Sequence, residues 1–184
     1  MKYRYALSSL VLLAAVTGCT STSDSGKQAV VENYLTHDGN VYIVWKDPAE
    51  YTDIESTMWL QSKFDQYLFT ELTEDLGQLA NQFLDKDQQL DLMVTNVDLA
   101  GDVQPTFGAG PDDVRVVSEL YPPKIAFEYA LKQNGKIIKQ GKENINDMGF
   151  LFGIQPITND PFPYERQILR KWFKETIQPE LTKN

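Results

Sequence analysis

One stretch constrains the fold of this chain more than any other. Ile125, Phe127, Tyr129 and Leu131 alternate with Ala126, Glu128, Ala130 and Lys132, and Asn134-Gly135 follows. A period of two marks a strand with one buried face. Asn-Gly is the favoured pair for a two-residue hairpin turn, whose central residues both take positive φ. Lys136 to Ile145 is then the returning strand. Two-residue pairing sets Ile138 opposite Leu131, Gln140 opposite Tyr129 and Lys142 opposite Phe127. Rings over polar partners predict either a half-open face or a bulge. Such a pair needs a cover for its apolar side.

Two helical patterns supply one. Between about Glu55 and Leu84, Leu60, Phe64, Leu68, Leu72, Leu76, Leu79 and Phe83 recur every three or four residues, and Trp59, Tyr67 and Phe69 widen the stripe. Thr52-Asp53-Ile54-Glu55 offers capping chemistry ahead of it. A second helix is expected from Asp160 to about Ile177, with Tyr164, Ile168, Leu169, Trp172, Phe173 and Ile177 inward and Pro179 as its stop. Arg166, Arg170, Lys171 and Lys174 fall on other faces, several near the C-terminal end, where the helix dipole favours cations. Both stripes read as core.

Further strands are expected at Val41–Trp45, ended by Asp47-Pro48, at Leu90–Leu99, and at Val114–Val117. Pro122-Pro123 either breaks or bulges the last of these, which otherwise runs on into the hairpin. The order β-α-β-β-β-β-α predicts a single α+β domain. Its sheet is mostly antiparallel, of about four to five strands, with two helices packed on one face.

The N-terminus carries an address. Lys2 and Arg4 precede an apolar run from Ala6 to Val16, then Val16-Thr17-Gly18-Cys19. This is the layout of an export signal. The apolar run is about half the roughly twenty residues a spanning helix needs. Val16-Thr17-Gly18-Cys19 resembles the bacterial lipobox, which implies cleavage before Cys19 and acyl chains on that residue. Several chains anchor stably where one does not. Thr20 follows, not the Asp that in such lipoproteins signals inner-membrane retention, so the expected location is the periplasmic face of the outer membrane. Residues 1–18 are then the signal peptide, 19–39 the lipidated cysteine and a flexible tether, and 40–181 the globular domain.

Cys19 is the only cysteine, so no disulfide holds the fold. About 140 residues, in a chain with 11% aromatic residues, are enough for one self-sufficient core. Removing residues 1–18 takes away Lys2 and Arg4 and no acid. The mature chain keeps 15 basic against 26 acidic residues, a formal charge of −11. Such a surface disfavours nucleic acid, whose binding depends on neutralising phosphates.

Chemistry is sparse. His37 is the sole histidine and lies beside the tether, which disfavours most zinc sites and a Ser-His-Asp triad. Gly108-Ala109-Gly110-Pro111 lacks the Lys-Ser/Thr of a phosphate loop and reads as a surface turn. Asp98, Asp102, Asp112, Asp113 and Asp147 are the one carboxylate set that strand ends and a loop could gather, as calcium ligands or a catalytic pair. Capping of turns is the competing reading. No catalytic residue, metal ligand or cofactor site is assigned. Two loops of about twelve residues, Gly101–Asp113 and Gly149–Asp160, invite a functional reading. They offer Phe107, Phe150 and Phe152 as partner contacts, although Phe150–Ile154 also reads as cover for one end of the core.

Several segments together resemble an uncharacterised bacterial family, domain of unknown function 3016. They are Val41 to Pro48, Thr95 to Asp102, Asp113 to Val116, Tyr121 to Ile125, Asp147-Met148, and Tyr164-Glu165 through Leu169 to Trp172-Phe173. The resemblance implies an exported envelope protein with no established activity. Asn96 departs from the acidic residue expected at its position, which weakens a role for Asp98. The expected function is that of a non-catalytic, membrane-anchored binding or accessory module for another envelope protein. A hydrolase or metal-dependent enzyme built on the Asp set is the alternative, and a purely structural envelope component a third.

Overall fold

The computed structural model describes residues 33–57, 59–106, 113–152 and 160–181. Strands β1 (Tyr34–Asp38), β2 (Val41–Trp45), β3 (Gln88–Asp98), β6 (Lys124–Gln133) and β7 (Lys136–Asn146) form one sheet in the order β1-β2-β3-β6-β7. Within that sheet the β2–β3 pair is parallel and the other pairs are antiparallel, and helix α1 (Gln61–Ala80) makes the parallel crossover. β4 (Asp102–Gln104) and β5 (Val114–Val116) pair separately as a small antiparallel ribbon. Helix α2 (Pro163–Trp172) continues through a π-helical turn, Phe173–Ile177, into a short α3 (Gln178–Leu181). The α+β fold class is as expected, with five strands in the main sheet and both long helices on one face.

Strand parity decides that face. Val41, Ile43 and Trp45, then Leu90, Leu92 and Val94, then Ile125, Phe127, Tyr129 and Leu131 all point inward and are buried. Leu68, Phe69, Leu72 and Leu76 of α1 and Ile168, Leu169, Trp172 and Phe173 of the C-terminal helix meet them. The opposite face is open. It shows Leu35 and Tyr42 to solvent and carries the pairs Asp91–Lys132 and Glu128–Lys142.

Several expectations are corrected. Tyr34–Asp38, expected within the tether, form β1, which hydrogen-bonds along β2. Inward polar groups hold it there. Thr36 Oγ1 lies 2.6 Å from Thr73 Oγ1 of α1 and accepts Trp45 Nε1–H at 2.8 Å. His37 is therefore a strand residue, stacked on Tyr42. β5 does not run into β6 but pairs with β4, inside what was expected to be an irregular loop.

The hairpin turns at Asn134 (φ 50°) and Gly135 (φ 75°) as predicted. A bulge between Leu131 and Lys132 then slips the register by one, setting Leu131 opposite Lys139, Tyr129 opposite Gly141 and Phe127 opposite Glu143. Gly141 leaves room for the Tyr129 ring, since a Cβ there would lie 2.9 Å from it. Lys139 now points to the helical face and donates to the Thr176 carbonyl and to Glu180.

Arg166 and Arg170, on the other faces of the helix, reach across to α1. Arg166 pairs with Glu71, and Arg170 Nε donates to Asp75 Oδ2 at 2.7 Å. Both pairs span 95 residues of sequence, so α1 and α2 lie side by side in the same sense. Pro179 does not stop the helix. Gln178 N–H bonds five residues back to Phe173, and this wider turn leaves room for the proline ring in the final turn.

Candidate binding cleft

α1 begins at Gln61, six residues later than its apolar pattern suggests. The reason lies in Asp53. Its backbone bridges β3, with Asp53 N–H to Val97 O and Leu99 N–H to Asp53 O, and its carboxylate receives both Arg115 Nη groups at 2.8 Å. This pins Thr52–Ile54 beside the end of β3, and residues 55–57 and 59–60 form an arch before the helix starts. Gln61 holds the arch. Its Nε2 donates to Ile54 O and to Asp65 Oδ1, both at 2.7 Å, and its Oε1 accepts Ser56 N–H at 3.0 Å.

Under the arch is a cleft of about 470 Å³. One wall is Trp59, Phe64 and Tyr67. The other is Phe162 and Tyr164 at the start of α2, and the floor is Leu99-Ala100 with Glu165. The rings brace one another: Trp59 and Tyr67 centroids are 5.1 Å apart, Tyr67 and Phe162 5.7 Å, and Phe64 and Phe162 5.8 Å. Trp59 and Leu60 were expected in the core stripe. They lie outside it, and the Trp59 indole is 53% exposed at the cleft mouth.

Glu165 is the polar element of the floor. Only 2% exposed, it accepts the Ala100 N–H at 2.7 Å and so ties the first turn of α2 to the end of β3. Burial pushes its carboxyl pKa up, against the opposing pull of the Ala100 amide, its own backbone amide and Arg115. The next residue, Gly101, has φ +90°, and a Cβ there would lie 2.6 Å from the Val116 carbonyl oxygen. Only glycine lets the chain turn this tightly beneath β5. Arg115 also lines the cleft, but its guanidinium is engaged by Asp53 and the Glu55 carbonyl.

The described members of the acidic set have separate surroundings. Asp98 takes Lys124 Nζ at 2.9 Å, and Asp147 accepts Gly149 N–H at 2.9 Å in a turn. Asp102 sits in β4 and Asp113 is exposed just before β5. Among the described residues no group of three His, Cys, Asp or Glu side chains is placed to hold a metal ion. Asp112, Gly108–Pro111, Phe107 and Cys19 lie outside the described residues. Of the proposed contact aromatics, Phe150 is corrected: it is 3% exposed and packs edge-on against Tyr164 at 4.8 Å, bracing the cleft wall from behind. Phe152 is 84% exposed.

Trp59, Glu165, Arg115 and Gln61 escaped the sequence reading. Glu165 alone left a signal. It precedes Ile168, Leu169 and Trp172 by three, four and seven residues, an acid on the apolar stripe of its own helix.

Fold and cleft together define an α+β domain with one covered sheet face and an aromatic cleft where the starts of both helices meet the end of a central strand. Residues 39–175 match the model of a family described as protein of unknown function, DUF3016, and the chain belongs to that family. No curated protein and no solved structure matches it. Among the described residues no helix is long and apolar enough to cross a membrane.

Proposed function

We propose that this protein is a non-catalytic binding module of the cell envelope, held at the periplasmic face of the outer membrane by lipid on Cys19, with the aromatic cleft as its contact site for another envelope protein. The observation that carries this reading is the half-exposed Trp59 over an apolar, preformed cleft. Concave sites with aromatic walls and a few placed polar groups are the usual form of a binding site. Of the carboxylates that an enzyme reading would need, Asp98 is engaged in an ion pair, Asp147 in a turn and Asp102 in a strand. Exposed Phe152 extends the contact surface beyond the cleft.

A photo-crosslinking residue replacing Trp59 in cells is expected to capture a discrete envelope protein, and one replacing the exposed Glu119 is not. Equal, diffuse labelling from both positions refutes the contact site. Cys19→Ser is expected to abolish labelling by palmitate analogues and to move the protein from the membrane to the soluble fraction. A mature N-terminus at another residue, without acyl mass, refutes the anchor.

A further inference from the structure

We propose that the cleft recognises a lysine or arginine side chain carried on an apolar segment of the partner protein; this rests on the cleft being a binding site. Three observations carry it. The aromatic walls offer ring faces at the mouth, with the Trp59 indole half exposed, and indole is the strongest side-chain partner for a cation. Among the described residues, the charged side chains lining the cleft are three acids, Glu55, Asp160 and Glu165, and one cation, Arg115, which Asp53 already holds bidentately. Asp160 is partly compensated by the Phe162 N–H and by Arg166 at 3.4 Å, which leaves Glu55 and Glu165.

Glu165 is the third observation. A carboxyl at 2% exposure, held across the cleft floor by the Ala100 amide just beyond β3 and by its own backbone amide, is an expensive group to bury. Those amides and Arg115 offset its desolvation in part, and a further positive charge beside it offsets more. An entering side chain of the required kind has an apolar stem and a charged head. The stem lies along Tyr67, Phe162 and Leu99, and the head meets Trp59 and the carboxyls. The mature charge of −11 favours approach of a basic segment and repels an acidic one.

The test uses the full-length lipoprotein in maltoside micelles. Trp45 and Trp172 are buried, so quenching of tryptophan fluorescence reports on Trp59. The probes are three capped peptides, Gly-Leu-X-Leu-Gly, with Lys, norleucine or Glu at X. The Lys peptide is expected to bind about tenfold more tightly than the norleucine peptide, as one cation–π contact plus a partly buried ion pair provides, and the Glu peptide more weakly than either. Glu165→Gln should bring the ratio of Lys-peptide to norleucine-peptide affinity close to one. Glu55→Gln, at an exposed position that cannot unfold the domain, should reduce it about two- to threefold, as a surface ion pair does. Equal binding of the Lys and norleucine peptides overturns the cation inference but leaves the binding-cleft reading standing. Absence of saturable quenching by all three overturns both.

Discussion

Trp172 and Phe64 looked alike in sequence, each an aromatic on a helical stripe, and the structure separates them. Trp172 is 4% exposed, with its ring edge-on to Phe127 at 4.7 Å and to Tyr129 at 5.2 Å. Truncating such a ring costs about 3–5 kcal/mol through lost transfer energy and the cavity left behind. One term opposes this. Trp172 Nε1 is buried without a hydrogen-bond partner, a liability of about 1–3 kcal/mol that truncation removes. Trp172→Ala should therefore cost about 3 kcal/mol, at the low end of the range. Trp172→Phe, which keeps most of the ring and loses the orphan donor, should lie within about 1 kcal/mol of the parent. Phe64 is only half-buried, at the cleft wall. Phe64→Ala forfeits about half of a full aromatic burial and leaves an opening, not a closed cavity, so about 1–2 kcal/mol is expected. Urea unfolding followed by far-ultraviolet circular dichroism gives the three values from midpoints at constant slope. Equal losses for Trp172→Ala and Phe64→Ala, or a Trp172→Phe variant as damaged as Trp172→Ala, would refute the packing argument.

Other expectations follow from the cleft and its floor. Glu165 has its folded-state pKa raised above the usual 4.5 by burial, so the folded chain binds more protons than the unfolded one over the interval between the two values. Its contribution to stability is then flat in acid and falls as pH rises from about 4.5 to the folded pKa. The stability of Glu165→Gln relative to the parent should rise over that window in chemical denaturation, and a difference independent of pH from 4 to 8 refutes the assignment. Gly101→Ala, at φ +90° against the Val116 carbonyl, should cost about 2 kcal/mol or more and lower the melting temperature; an unchanged transition shows the turn to be slack.

How much of this was legible depends on where each element draws its stability. The β6–β7 turn is specified locally, because Asn134 and Gly135 supply the two positive φ values themselves. The long stripe of α1 is local as well, and the core residues Leu68, Leu72 and Leu76 were readable from spacing. β1 was not. Tyr-Leu-Thr-His-Asp has a weak apolar alternation, and the strand is held by partners distant in sequence, with Thr36 on Thr73 and Tyr34 edge-on to Phe69. The hairpin bulge escaped for a related reason. The slip at Leu131 brings Lys139 to the Thr176 carbonyl and Glu180 at the end of the C-terminal helix, partners about forty residues away.

The cleft is the extreme case of the same rule. Its walls come from the arch with the first turns of α1, the end of β3, the ribbon strand β5 and the start of α2, and the tie that closes its floor joins residues 65 apart. Periodicity reports how one segment meets a core, and it is silent on a cavity that exists because four segments fail to meet. It assigned Trp59 to the core because Trp59 continues the α1 stripe, whereas Asp53, fixed to Arg115 and to β3, starts the helix six residues late and turns that indole outward. The same pinning that spoiled the helix boundary created the opening. An Asp53→Asn variant, which weakens the Arg115 clamp, should therefore release the arch and the site together. The side chains of that ion pair are about one-fifth exposed, so the loss of stability should be only about 1 kcal/mol. Trp59 fluorescence should nonetheless shift toward that of a fully solvated indole, and peptide-induced quenching should fall. If Trp59 emission is unchanged in Asp53→Asn, the arch is held by Gln61 alone, and the link from the late helix start to the cleft is wrong.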